Sequence, residues 1–160
     1  MENRRLKKIR VMVTGLPGKI AESIADWIAK IPDMILLPFT LSEEPGKLWV
    51  GQNEIWQIAP EYHRDRLRDI SPDVVVDLSD FSHTKCKKRN CQLYCDCNIP
   101  FLVVNAIKDS GFLREVKKSG LSAFIVPQDE IQEILEAIRL LKARGSGSMV
   151  MTIRLKKKKL

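Results

Sequence analysis

Residues 8–21 read KIRVMVTGLPGKIA and indicate the fold class of the chain. Lys8–Thr14 is apolar and β-branched and runs into a glycine, which predicts a buried strand. Lys19–Lys30 follows with apolar residues at helical spacing and ends before Pro32, so we expect a helix there. A strand, a glycine turn and a helix in direct succession indicate the opening of an α/β fold.

The rest of the chain repeats this alternation. Further strands are predicted at Met34–Phe39 (with Pro38 near its end), Leu48–Val50, Ile55–Ile58, Asp73–Leu78, Phe101–Asn105, Leu121–Val126 and Met149–Leu155. Further helices are predicted at Glu61–Ile70, Ser82–Cys97, Ser110–Ser119 and Gln128–Ala143. The pattern predicts a Rossmann-type α/β fold, a doubly wound parallel sheet in three layers, whose ligands bind at the carboxyl ends of the strands.

The turn after the first strand has the form G-x-x-G-x-x-A, a variant of the dinucleotide-binding fingerprint. Gly15 would permit the tight turn, Gly18 the close approach of a pyrophosphate, and Ala21 the packing of the helix on the sheet. The helix N-terminus would hold the phosphates, and Lys19 would add a cation. The alternative is an ordinary tight turn that binds no ligand.

The residues after the second strand select between NADH and NADPH in folds of this kind. Thr40 and Ser42 suit either cofactor, and Glu43 favours NADH but comes late in the loop. The sequence leaves the choice of cofactor open.

The net charge of +7 is carried by the two ends of the chain. Without the first ten and the last seven residues, 17 basic and 19 acidic residues remain, so the body is slightly acidic. This distribution argues against a nucleic-acid partner, because such binders usually carry their charge on the folded face. The alternative, basic tails that contact nucleic acid or a membrane surface, stays open.

Composition excludes some classes of protein. Hydrophobic residues make up 44% and charged residues 29%, which argues against disorder. No apolar run approaches the roughly 18 residues that span a bilayer, and no signal-peptide core follows the basic N-terminus. We expect a cytoplasmic protein without a membrane partner, or a plastid one if a transit peptide has been removed.

The chain divides into three parts by composition. Residues 1–7 are a basic tail, and residues 8–144 form the predicted domain. Residues 145–160 comprise a Gly/Ser connector, a short strand and a second basic tail.

The remaining candidate residues are expected to contribute to packing, local structure or the solvated surface and not to a functional site. The cysteines are spaced C-x₄-C-x₃-C-x-C on one predicted helix, which cannot surround a metal with four ligands, so we expect reduced thiols and no metal site. His63 and the basic run Lys85–Arg89 are expected to be solvated. The three tryptophans are expected in the core or in hairpin packing, and Asp77 is expected to accept backbone N–H bonds from a loop. The tryptophans are Trp27, Trp49 and Trp56.

Several segments, in this order, resemble the plant-type branch of the 4-hydroxy-tetrahydrodipicolinate reductases (dihydrodipicolinate reductases) of lysine biosynthesis through diaminopimelate. The segments are VMVTGLPGKIAESIA (11–25), LLPFTLS (36–42), the region 50–58, VVVDLSDFS (74–82) and QLYCDCNIPFLV (92–103). They resemble that family's glycine-turn opening, its second strand and loop, its hairpin, its V-[IV]-D-[FYL]-[ST] strand and its passage ending in I-P-F-V. The resemblance covers about residues 8–155.

The resemblance implies hydride transfer from NADPH or NADH to a cyclic imine. It also implies a set of residues that face the dinucleotide, with Thr40 beside the adenosine ribose and Ser79 at the mouth on the nicotinamide side. The set is Gly15, Leu16, Pro17, Gly18, Lys19 and Ile20.

The chain departs from this family at two places. The family has a G-T-T-G loop against the nicotinamide, where this chain reads Val104-Asn105-Ala106-Ile107. The family's substrate domain opens with a strand and H-H-x-x-K, where this chain reads MVMTIRL followed by Lys156–Lys159.

We therefore expect the NAD(P)H-binding half of a reductase without its substrate half, no catalytic residue, and little or no reductase activity from this chain alone. The expected partners are the dinucleotide, a missing substrate domain or a second copy of the chain. The alternative is a non-catalytic module, derived from that family, that binds a nucleotide or a protein partner.

Overall fold

The computed structural model describes residues 7–78, 84–105, 122–127, 131–145 and 147–154. Its strands are β1 (Ile9–Thr14), β2 (Met34–Leu36), β3 (Phe39–Leu41), β4 (Gly46–Val50), β5 (Asn53–Ile58), β6 (Val74–Asp77), β7 (Phe101–Asn105), β8 (Ser122–Pro127) and β9 (Ser148–Arg154). Its helices are α1 (Lys19–Lys30), α2 (His63–Ile70, after a 3₁₀ turn at Pro60–Tyr62), α3 (Thr84–Asp96) and α4 (Ile131–Arg144). The helix predicted at Ser110–Ser119 lies outside the described residues.

The main sheet has six strands in the order β2-β1-β6-β7-β9-β8, and every neighbouring pair is parallel. The prediction of an α/β fold with a parallel sheet is therefore confirmed, while the doubly wound three-layer arrangement stays a prediction. All four residues of β6 are buried, as expected for an apolar run covered on both faces.

Two apolar clusters pack against this sheet. One joins α1 and α4 to strand residues such as Val11 and Val76. The other joins α2 and α3 to residues of the alternate register, such as Met12 and Val75. Because side chains alternate along a strand, the two clusters contact opposite faces of the sheet.

Helix α1 packs through a stripe of small and β-branched residues. The buried positions recur at the i, i+3, i+4, i+7 spacing of one helical face. They are Ala21, Ile24, Ala25 and Ile28. The helix stops at Ile31, whose N–H bonds to the carbonyl of Ile28, one residue before Pro32.

The single strand predicted at Met34–Phe39 is wrong, because the chain leaves the main sheet at Pro38. β2 pairs with β1, whereas β3 pairs with β5 in a separate three-stranded sheet ordered β3-β5-β4. Leu37 N–H makes the last bond to β1, at 2.8 Å from the carbonyl oxygen of Val11. Proline has no N–H with which to continue that ladder.

The strands predicted at Leu48–Val50 and Ile55–Ile58, which the sequence left as a hairpin or two separate short strands, form a hairpin: β4 and β5 pair in antiparallel register from Val50↔Asn53 to Gly46↔Gln57. The two-residue turn between them has Gly51 at φ +58°, a left-handed conformation that glycine adopts without cost.

The strand predicted after the Gly/Ser connector lies within the main sheet. β9 pairs with β7 on one side and with β8 on the other. The carbonyl of Gly147 in the connector accepts the N–H of Phe101 at 3.2 Å. No helix among the described residues is long and apolar enough to cross a membrane.

Candidate functional site

The predicted glycine turn joins the carboxyl end of β1 to α1. Gly15 has φ +113°, which only glycine adopts readily, and its carbonyl accepts the N–H of Gly18 at 3.0 Å. The peptide bond between Leu16 and Pro17 is cis. Leu16 points into the core, and the residues from Pro17 to Lys19 are exposed, so one side of the turn faces solvent.

Helix α1 begins without a side-chain cap. Its N-cap residue is Gly18, and the first intrahelical bond runs from the N–H of Glu22 to the carbonyl of Gly18 at 2.8 Å. The N–H groups of Lys19, Ile20 and Ala21 precede that bond and have no acceptor within the helix. They lie at the positive end of the helix dipole, the arrangement that binds phosphate in many proteins.

Space at Gly18 is limited by the turn itself. A Cβ atom there would lie 3.0 Å from the carbonyl oxygen of Gly15 and 4.0 Å from Cβ of Ala21. Ala21 is 2% exposed and packs in the cluster beneath α1. The small residues of the G-x-x-G-x-x-A pattern therefore keep the turn, the helix and the sheet close together.

The strand order reverses beside this turn. From β1 the chain crosses to β2 on one side, and it later returns through β6 on the other side of β1. Thr14 and Asp77, the last residues of β1 and β6, are paired, and Leu78 N–H donates to the Thr14 carbonyl at 2.7 Å. In open parallel sheets such a reversal leaves a crevice at the carboxyl ends of the strands.

A buried polar cluster lies directly beneath this crevice. Tyr94 of α3 donates its hydroxyl to Oδ2 of Asp77 at 2.7 Å and lies 3.4 Å from Oγ1 of Thr14. All three side chains are at most 2% exposed. Burial, together with the neighbouring Asp77 carboxylate, raises the pKa of Tyr94 well above its usual value, so the phenol stays protonated.

No functional role was predicted for Tyr94, although the helical spacing of its neighbours indicates that it is buried. Asn90, Leu93 and Tyr94 of α3 are buried, and Cys97, four residues after Leu93, packs against the same cluster. A helical stripe that includes a tyrosine and an asparagine needs polar partners inside the fold. Asp77, expected to bind a loop, has the phenol of Tyr94 as one of its partners.

The eight predicted dinucleotide residues fall into two groups. Gly15, Leu16, Pro17, Gly18, Lys19 and Ile20 form one continuous turn and helix start. Thr40 lies apart on β3, fully buried, and Oγ1 has no hydrogen-bond partner among the described residues. Ser79 lies outside the described residues.

A groove of about 400 Å³ runs beside α1 but differs from the crevice in charge. Its helix wall carries Glu22 and Asp26, and its other wall is the hairpin from Trp49 to Gly51. Lys19 stands at the end of this groove that adjoins the glycine turn. The two carboxylates disfavour a phosphate inside the groove, so Lys19 is better placed to contact an anion that binds at the glycine turn.

His63 is buried rather than solvated, contrary to the sequence interpretation. It is 4% exposed, and Nε2 lies 2.7 Å from the carbonyl of Ile58 and 3.0 Å from that of Ser42. Burial lowers the pKa of His63, and the two carbonyls oppose that shift. The imidazole therefore joins the ends of β3 and β5 to the start of α2.

The tryptophans are not core residues, and two of them lie on the hairpin, which was the second predicted alternative. Trp27, Trp49 and Trp56 are 44%, 62% and 48% exposed, so the prediction of core packing is wrong. Trp49 and Trp56 lie on the outer face of the hairpin, where the Lys47 ammonium stands 4.8 Å from the centre of the Trp56 ring.

The thiols and the basic run of α3 show no sign of a metal centre within the described residues. Cys91, Cys95 and Cys97 are reduced thiols, and this part of the chain contains no group of three potential metal ligands. Burial raises the pKa of the Cys95 thiol, which lowers its reactivity. Arg89, at the end of the basic run, is exposed and pairs with Glu43 at 2.7 Å.

Comparison with known proteins adds no relative: no protein-family model matches the chain, and no curated protein matches it.

Proposed function

We propose that this chain is an NAD(P)H-binding domain of Rossmann type, similar to the cofactor half of 4-hydroxy-tetrahydrodipicolinate reductase. The observation that carries the proposal is the position of the glycine turn. It leads into an uncapped helix N-terminus at the place where the strand order reverses. The apolar clusters on opposite faces of the sheet support the three-layer arrangement.

The pyrophosphate of the dinucleotide has suitable partners at this turn. The N–H groups of Lys19, Ile20 and Ala21 provide donors without intrahelical acceptors, and the Lys19 ammonium adds a positive charge. Gly18 presents no side chain towards the phosphates. A Cβ atom at this position would lie only 3.0 Å from the carbonyl oxygen of Gly15. The residues of the turn therefore fit a diphosphate.

The buried cluster beneath the turn keeps this geometry fixed. Tyr94 connects α3 to the ends of β1 and β6 through Thr14 and Asp77. We assign these three residues to positioning, because their side chains are buried and the Asp77 carboxylate already accepts the phenol. When bound, the reduced nicotinamide supplies a hydride. The turn itself binds and orients the cofactor.

A non-catalytic nucleotide-binding module is the second candidate. The observation in its favour is the sequence at the end of β7 and just beyond it, where Val104-Asn105-Ala106-Ile107 lacks the glycines of the reductase loop. Side chains at these positions restrict how closely a nicotinamide can approach the backbone. In this candidate the same turn binds the nucleotide and no hydride is transferred.

Calorimetric titration with NADPH and with NADH tests the proposal. We expect one site per chain for at least one cofactor, and binding about tenfold or more weaker in Gly18→Val, whose Cβ would crowd the carbonyl oxygen of Gly15 and displace the turn. Lys19→Gln should weaken binding, whereas Lys30→Gln at the other end of α1 should not. If neither cofactor binds below about 1 mM, the proposed function is wrong.

Assay of the reductase substrate separates the two candidates. Cofactor binding without turnover favours the non-catalytic module, and turnover at an appreciable rate favours the reductase. Circular dichroism of each variant checks that the fold is retained.

A further inference from the structure

The outer edge of β4 presents backbone groups that pair with no strand among the described residues. The two-residue turn makes Val50 and Asn53 the first hydrogen-bonded pair of the hairpin, so Leu48 and Gly46 also bond inwards to β5. The N–H and C=O groups of Lys47 and Trp49 then point away from β5. Trp56, opposite Lys47, donates its N–H to Pro38 at 2.9 Å, away from β4, as this pattern requires.

No strand of the described residues pairs with that edge. Lys47 and Trp49 are both exposed, and Trp49, at 62%, is the most exposed of the three tryptophans. An edge strand with a large exposed aromatic side chain is a surface on which another strand can add.

We propose that two copies of this chain associate through their β4 strands, antiparallel about a two-fold axis at Leu48. In this register Lys47 of one copy pairs with Trp49 of the other, and the reciprocal pair is identical. The four outward N–H groups of the two strands all find carbonyl acceptors. Pro45, which has no N–H, precedes β4 and limits the ladder to this short segment.

The side chains favour this register over registers that are shifted along the strand. Lys47 and Trp56 are cross-strand partners, as are Trp49 and Glu54, so all four side chains lie on one face. Across the dimer, each Lys47 ammonium lies between its own Trp56 ring and Trp49 of the second copy. A cation held between two aromatic faces is favourable, and the symmetric arrangement forms two such contacts. A closed two-fold pairing also leaves no edge for further addition at β4.

Sedimentation velocity of the full chain from about 10 μM to about 1 mM tests the proposal. The wild type should shift from monomer to dimer across this range. Trp49→Pro removes one outward N–H without breaking the β4–β5 ladder, and it should remain monomeric. Trp49→Thr keeps the N–H and should raise the dimer dissociation constant roughly tenfold. Trp27→Thr, which removes an exposed tryptophan from α1, should leave the constant unchanged.

Hydrogen exchange supplies a readout that does not depend on the proline variant. The amides of Lys47 and Trp49 should exchange more slowly as wild-type concentration rises, and this change should be smaller in Trp49→Thr. A monomer at about 1 mM would overturn the proposal. So would a dimer that Trp49→Pro leaves intact, or exchange at Lys47 and Trp49 that does not depend on concentration.

Discussion

The two sheets of this protein bury their residues differently. In the main sheet every residue of β6 is buried, and β1 has a single partly exposed position, Arg10. In the small sheet the two faces of the hairpin differ near its turn, with Leu48 and Ile55 on the inner face and the exposed Trp49 and Trp56 on the outer. The strands of the main sheet contribute buried residues to both apolar clusters, whereas the hairpin of the small sheet exposes Trp49 and Trp56 on one face.

This difference shows that residue type alone does not decide burial. Tryptophan is a common core residue, yet both tryptophans of the hairpin occupy outward positions of a period-2 pattern. The main sheet provides the rigid carboxyl edge that holds the glycine turn. The small sheet provides exposed aromatic surface.

Truncation of one aromatic residue in each sheet should reduce the unfolding free energy by very different amounts. Phe101 of β7 is 2% exposed, and Phe101→Ala should cost about 3–5 kcal/mol of unfolding free energy through the cavity that it leaves. Trp49→Ala should cost about 1 kcal/mol or less, because most of that side chain is already in water. Urea denaturation at low micromolar concentration measures both. Equal losses would contradict the burial that separates the two sheets.

Removal of one hydroxyl from the buried cluster should have the next largest effect. Tyr94→Phe takes the phenol donor from Asp77 and should cost about 1.5–3 kcal/mol, the usual range for a hydrogen bond to a charged group. Tyr62→Phe is the matched control, because Tyr62 is 58% exposed and its hydroxyl can bond to water. A Tyr94→Phe variant as stable as Tyr62→Phe would show that the cluster does not hold β1, β6 and α3 together.

Low pH should destabilise the junction between the small sheet and α2, where His63 is buried. Because burial lowers its pKa in the folded state, the unfolded chain takes up the proton first as pH falls through about 6.5. Stability from this residue is therefore complete above that pH. It is lost as pH falls towards the lowered pKa, by at most about 1.4 kcal/mol per pH unit.

Urea denaturation at pH 8, 6.5 and 5 measures this loss. His63→Gln, which cannot take up the proton, should lose less stability over the same interval. Arg89 and Glu43 act on His63 in opposite directions, so Arg89→Gln should raise its pKa. Asp33, whose pKa the bond from Arg139 lowers below 3.8, titrates outside this window. An identical pH profile in His63→Gln would exclude His63 as its cause.

The main strands were predictable from sequence because the residues that determine them are neighbours in the chain. β1, α1 and β7 follow from apolar runs, helical spacing and the Gly and Pro residues beside them, and the glycine turn was located from its pattern. The break of one predicted strand at Pro38 depended on pairing with β5, whose Trp56 lies 18 positions later. Local propensity gives no information about that partner.

The site was predictable only where it is continuous in sequence. Residues 15–20 are neighbours in the chain, and the structure keeps them together in one turn. Tyr94 and Thr14 are separated by 80 positions, and His63 and Ser42 by 21, so their contacts follow from the packing of whole elements. The burial of polar side chains depends on such distant partners.

Nitrogen-15 NMR of the full chain during titration with NADPH locates the dinucleotide site residue by residue. The amides of Lys19, Ile20 and Ala21 should shift furthest and should saturate together, because their N–H groups are the proposed phosphate donors. The amides of Lys47 and Trp49 on the small sheet should shift little at constant protein concentration. Saturation that leaves Lys19–Ala21 unmoved, or that shifts the hairpin most, would contradict the assignment of the glycine turn as the dinucleotide site.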